Sequence, residues 1–189
     1  MQDSTMPPGK FLFLVASARE DGAAETLARR TAQGLSSDQQ RWIRLADLPL
    51  DPFVDSRHEG DGTYPPPQGH ARTLLDATLD ATDLVFVAPV YWYGLPAWAK
   101  LYLDHWSGWM RVPGVDFRAR MAGKRLWAMT IVSDETPASA EPLLGCLRLT
   151  TDYMNMEWGG ALIGNANRPA DILEDREALR QADSFLRSN

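Results

Sequence analysis

The chain of 189 residues has one cysteine, Cys146, three histidines and an ordinary share of charge, with 19 basic side chains against 25 acidic ones. A single cysteine excludes an intrachain disulfide framework and any multi-cysteine metal site. The formal net charge of −6 removes the basic footprint expected of a protein that binds nucleic acid or an anionic lipid surface. No apolar run approaches the roughly 18 residues that a membrane helix requires. The first ten residues, MQDSTMPPGK, lack a basic stretch followed by an apolar one, so no secretory signal is read and a cytoplasmic location is expected. Also missing are the Gly-x-Ser-x-Gly elbow, the Gly-x-x-x-x-Gly-Lys-Ser/Thr loop and the Gly-x-Gly-x-x-Gly fingerprint. His58, His70 and His105 show no ligand-like spacing, and His58 and His70 are expected to be solvated beside a loop.

What is present is a regular alternation. Residues 10–16 (KFLFLVA) and 83–88 (DLVFVA) are short continuous apolar runs, the pattern of strands buried on both faces of a parallel sheet. Residues 41–45, 124–132 and 157–164 read as three further strands, the first alternating apolar and basic residues as an edge strand does. Between and after them, residues 23–34, 68–81, 95–110, 138–154 and 170–186 carry helical spacing, with Pro96 in the first turn of the third helix. Five strands alternating with five helices predict one α/β domain over 1–189, a doubly wound five-stranded parallel sheet in the order 2-1-3-4-5 with helices on both faces. Residues 1–9 are expected to be a disordered tail, and the Pro- and Gly-rich stretch 47–69 a long functional loop.

In such a sheet ligands bind beyond the carboxyl ends of the strands, at the switch point between strands one and three. Strand one runs into Ser17-Ala18-Arg19-Glu20-Asp21-Gly22-Ala23-Ala24 and then a helix. A helix N-terminus, a hydroxyl and a guanidinium are the ingredients of a phosphate site, although an ordinary turn with an exposed arginine has the same letters. Strand three runs into Pro89-Val90-Tyr91-Trp92-Tyr93-Gly94-Leu95-Pro96. Three consecutive aromatics at the end of a buried strand offer flat apolar surface, and Gly94 lets backbone approach a planar ligand. Together the two loops describe a phosphorylated planar heteroaromatic, of which flavin mononucleotide (FMN) is one.

These residues resemble the flavodoxin-like NAD(P)H-dependent FMN reductase and quinone reductase superfamily. The resemblance runs from residue 10 to about 186 and rests on Ser17-Ala18-Arg19 with Gly22, on Asp47-Leu48-Pro49-Leu50, and chiefly on residues 89–97 with Lys100 and Asp104. It implies that Ser17, Arg19, Gly22 and the amides of Ala23 and Ala24 hold the FMN phosphate. It further implies that Pro89, Val90, Tyr91, Trp92, Tyr93 and Gly94 line the ring, with the amides of 92–94 facing its polar edges. Residues 131–135, including Ser133 and Asp134, would approach from strand four. NADPH or NADH would be the reductant, and a quinone, flavin or similar aromatic the acceptor; an FMN-binding electron carrier and a cofactor-free domain of the same fold stay open. Ala16 stands where the family commonly has Gly, and Ala23-Ala24 where a polar pair is common, which leaves the phosphate to backbone amides, Ser17, Arg19 and Thr26.

Two expectations concern packing. Leu95, Ala99, Leu103 and Trp106 form one stripe of the 95–110 helix, and Trp98, Tyr102, Trp106 and Trp109 a neighbouring one. One stripe is expected against the sheet and the other as an exposed aromatic face for a homodimer. Cys146, among Leu143, Leu144 and Leu147, is expected to be a buried structural thiol.

Overall fold

A computed structural model describes residues 9–134 and 136–187; residues 1–8 of the expected tail and Glu135 lie outside the described residues. Gly9, expected in the tail, is already tied down, its carbonyl accepting from Gln39 Nε2 at 3.3 Å. Five strands, β1 (Phe11–Val15), β2 (Gln40–Arg44), β3 (Asp83–Val87), β4 (Arg125–Val132) and β5 (Glu157–Asn165), form one sheet in the order β2-β1-β3-β4-β5. Every pairing is parallel, and all five residues of β1 and of β3 are buried.

Side-chain alternation along the strands divides the core in two. Phe11, Phe13 and Val15 point to the face covered by α1 (Ala23–Ala32) and, near the C-terminus, α6 (Arg176–Ala182). Leu12, Leu14 and Ala16 point to the other, covered by α2 (Gly69–Asp80), α3 (Ala97–Trp109), the short α4 (Phe117–Met121) and α5 (Glu141–Tyr153). The basic, alternating β2 lies at the edge as expected. Its Trp42 stacks on Phe13 with ring centroids 4.0 Å apart, and the Arg29 guanidinium lies 3.7 Å above the same ring, which closes that edge.

Three expectations need correction. The segment expected as one helix over 170–186 is broken into a 3-10 turn (Pro169–Leu173), α6, and a second 3-10 turn (Phe185–Arg187). The break falls where Asp175 caps α6, its Oδ1 accepting from Ala178 N at 2.9 Å while Oδ2 accepts from Asn165 N at 2.8 Å. Cys146 is only half-buried and lines a groove between α3 and α5.

The third correction concerns α3. Tyr102, Trp106 and Trp109 are buried, so the expected exposed face is core. Trp106 and Trp109 make edge contacts with Phe117 at 5.4 and 5.5 Å, and the Tyr102 hydroxyl bonds Thr78 Oγ1 at 2.5 Å. The long loop 48–68 covers the rest. His105 Nε2 donates to the Asp51 carbonyl at 2.9 Å and His70 Nδ1 to the Pro49 carbonyl at 3.0 Å. Phe53 packs edge-on to His105, and Gly108 leaves room for Tyr64, where a methyl group would stand 3.2 Å from the ring. His70 is exposed, as expected, and its ring also anchors the loop through this bond. Truncating Trp109 to Ala should lower unfolding free energy by about 3–5 kcal/mol, read by urea denaturation. The same truncation at Trp92, which is 97% exposed, should stay within about 0.5 kcal/mol; similar losses at both would contradict this packing.

Candidate functional site

The loops after β1, β3, β4 and β5 meet at one edge of the sheet because backbone bonds continue its ladder past the strands. Ala16 N donates to Val87 O at 2.9 Å, Ala88 N to Met129 O at 3.0 Å and Val90 N to Ile131 O at 3.3 Å. Beyond them opens a cleft of about 260 Å³, lined by Ser17, Arg19, Gly22, Ala23, Ala24, Pro89, Val90, Tyr91, Ile131 and Ser133 among others. These ten residues, all expected from the sequence, are thus brought together. Trp92, Tyr93 and Asp134 line an adjoining cleft of about 220 Å³ that shares Val90 and Ser133 with the first. Gly94 and Thr26 line neither of these clefts.

One end of the site is the start of α1. Gly22 is its N-cap with no side-chain cap, and the N–H groups of Ala23, Ala24 and Glu25 have no acceptor among the described residues. Ser17 is only 4% exposed; its hydroxyl accepts from Arg19 N at 3.2 Å, and its own proton has no acceptor among the described residues. A methyl group at Gly22 would stand 3.1 Å from Ser17 Oγ, so glycine keeps that hydroxyl uncovered. Arg44, at the end of β2, holds the loop from behind: Nη1 donates to the Arg19 carbonyl at 3.2 Å and Nη2 to Glu25 Oε2 at 2.5 Å. Glu25 also receives Arg29 Nη2 at 3.0 Å, so its buried carboxylate is matched by cations rather than opposing an anion at the helix end.

The other end is a tight turn. Tyr91 N donates to Gly94 O at 3.3 Å and Gly94 N to Tyr91 O at 3.0 Å, a two-residue hairpin whose central residues Trp92 and Tyr93 have φ of 50° and 63°. Two left-handed central residues make the type I′ arrangement that ordinarily takes Asn-Gly. Bulky side chains there are strained, and strain of this kind concentrates where a site must be shaped. Expecting the Gly94 amide to face a ligand was wrong, since that amide closes the turn. The amides of Trp92 and Tyr93 have no acceptor among the described residues. On the β4 side, Asp134 Oδ1 is committed to Thr136 N at 3.1 Å and Ser139 Oγ at 2.8 Å, which fixes this loop rather than freeing that oxygen. Glu135, expected alongside it, lies outside the described residues.

Ala166, Asn167, Arg168 and Pro169, which follow β5, also line the main cleft and were missed in the sequence. Their signal was positional: they stand at the carboxyl end of a parallel strand as the other three loops do. Two other arginines lie outside both clefts, Arg111 donating to the Ser107 carbonyl and Arg118 lying over the Tyr153 ring.

The fold and this cleft define a flavodoxin-like α/β protein, and the chain belongs to the flavodoxin-like fold family, whose pattern matches residues 9–186. Among its relatives, it is 30% identical over 179 residues to YwqN of Bacillus subtilis (strain 168), named as a candidate NAD(P)H-dependent FMN-containing oxidoreductase; the match covers 94% of this chain and 97% of that protein. Its fold is similar to that of the Trp repressor binding protein from Bacillus subtilis, with TM-score 0.74, 24% identity, and 95% and 99% of the two chains covered. It is also similar to an FMN-dependent NADH-azoreductase from Bacillus anthracis solved in complex with FMN, with TM-score 0.64, 12% identity, and 94% and 98% covered.

The turn generates a direct test. Replacing Trp92 by Asn together with Tyr93 by Gly should stabilise the protein by about 1–3 kcal/mol, because Gly removes a left-handed penalty of about 1–2 kcal/mol at 93 and Asn reduces it at 92. Urea unfolding reads it, and a loss of stability would mean that the turn is not strained.

Proposed function

We propose that this protein is an NAD(P)H-dependent FMN oxidoreductase that passes two electrons to a quinone, a flavin or a similar aromatic acceptor. One observation carries the reading: among the described residues, two adjoining clefts at one edge of the sheet have unpartnered helix-terminal amides and a buried hydroxyl at one end, and an aromatic turn with two unpartnered amides at the other. A phosphate fits the first and a planar ring with polar edges the second, and FMN joins the two in one molecule. The name carried by the Bacillus subtilis relative supports the same activity.

Ser17, Arg19 and the amides of Ala23 and Ala24 hold the phosphate, with Gly22 keeping Ser17 accessible. Pro89, Val90 and Tyr91 form the wall along the ring, and the Trp92 and Tyr93 amides donate to its polar edge. Gly94 closes the turn that aims them, and Ser133 and Asp134 bound the cleft from β4. FMN, when bound, supplies the two-electron chemistry, and the protein supplies orientation, exclusion of water and hydrogen-bond donors. Donors fixed by a tight turn need no reorganisation as negative charge grows on the ring edge.

The reading extends to a homodimer through the outer face of α3. With the tryptophans turned inward, that face presents half-buried Leu103 and Met110 beside Leu149 and Tyr153 of α5, which are 71% and 57% exposed. Among the described residues no helix is long and apolar enough to cross a membrane, and we place the protein in the cytoplasm.

The test is an absorbance spectrum of protein mixed with FMN and desalted, followed by anaerobic NADPH or NADH. Retained flavin that bleaches on addition is the expected result. Retained flavin indifferent to both nucleotides would replace this reading with an electron carrier. Absence of binding, with no bleaching in excess FMN, would leave a cofactor-free domain.

A further inference from the structure

Charge at the phosphate end does not balance within the first loop. Residues 17–22 carry one cation, Arg19, against two carboxylates, Glu20 and Asp21, all exposed. The cations behind the loop, Arg44 and Arg29, are paired with Glu25. A phosphate monoester carries close to two negative charges at neutral pH, and the N-terminus of a helix answers about half of one. A second free cation from outside the loop would bring the site closer to charge balance.

The loop after β5 brings one. Gly164 lets three elements converge, because a methyl group there would stand 2.5 Å from Ile172, 2.9 Å from Ile131 and 3.2 Å from Leu27 of α1. The Pro169–Leu173 turn is thereby seated against α1, and the residues before it reach the cleft near the start of that helix. Asp171 Oδ2 accepts from Arg168 N at 2.7 Å and from Asn167 N at 3.3 Å, and Asn165 Nδ2 donates to the Asp134 carbonyl. The backbone is therefore fixed on both sides of the position. Neither Arg168 nor Arg19 forms an ion pair among the described residues, and both line the cleft.

We propose that Arg168, delivered by the β5 loop, binds the FMN phosphate opposite Arg19 and supplies the charge that the first loop lacks. This rests on the FMN reading of the cleft. An arginine held by its backbone at a cleft wall gives a phosphate two parallel N–H donors as well as charge, which the alanines at 23 and 24 cannot give through their side chains. The proposal makes Arg168 a phosphate selector: it distinguishes FMN from riboflavin, which has the same ring and no phosphate.

The experiment measures Kd for FMN and for riboflavin by flavin fluorescence in the wild type, Arg168→Gln, Arg168→Lys and the distant control Arg118→Gln. Arg168→Gln should raise the FMN Kd about tenfold, the loss of one charge-assisted contact. It should leave the riboflavin Kd unchanged, Arg168→Lys should recover part of the loss, and Arg118→Gln should behave as wild type. Equal losses for FMN and riboflavin would make Arg168 merely structural, and unchanged FMN binding would remove it from the site; either overturns the proposal. So would a selective rise in the KM for NADPH over NADH with FMN binding intact. A wild type that binds neither flavin would instead overturn the FMN reading itself.

Discussion

All five strands run in one direction between two helical layers, so each leaves the sheet at the same edge, and every feature of the site follows from that constraint. A strand buried on both faces cannot stop in irregular backbone without leaving polar groups unpaired. The ladder therefore continues one residue past β1 and as far as three past β3, through the Ala16–Val87, Ala88–Met129 and Val90–Ile131 bonds. Those extra bonds set Ser17 beside Pro89 and Val90, residues more than seventy positions apart in the chain. The adjacent strands β1 and β3 connect onward to opposite helical layers, β1 to α1 and β3 to α3, and a gap opens between their carboxyl ends.

Two local devices turn that gap into a site with opposite chemical ends. At one, Arg44 reaches from the edge strand to the Arg19 carbonyl and the buried Glu25, so the backbone that presents the α1 amides is braced by charge rather than by packing. At the other, the Tyr91–Gly94 bonds force Trp92 and Tyr93 into left-handed backbone, which leaves their amides without an acceptor among the described residues and their rings in solvent. The first device is electrostatic and adapts to an anion; the second is steric and presents a surface of fixed shape.

The sheet was legible in the sequence because doubly buried strands such as Phe11–Val15 and Asp83–Val87 leave no polar position to confuse their pattern. The loops at the switch point were legible because topology names them before any side chain is considered. Facing was not legible for α3. Its two stripes are equally apolar, and what covers Trp106 and Trp109 is a five-residue helix too short to show periodicity and a proline-rich loop that has none. Nor was the break at Asp175 legible, since a capping aspartate inside a helical pattern looks like any exposed acid until its carboxylate is seen to accept from Ala178 N and Asn165 N. Arg168 escaped because the distance from β5 to β1 across the sheet hides the return of the chain onto α1.

The claim at the centre of this account is that one ligand spans the α1 N-terminus and the 91–94 turn. Amide chemical shifts followed during titration with FMN test it most directly. The account predicts that the largest changes fall on Ala23, Ala24, Trp92 and Tyr93 together, in one saturating transition. Changes confined to the groove between α3 and α5, at Leu149, Thr150 and Tyr153, would contradict it.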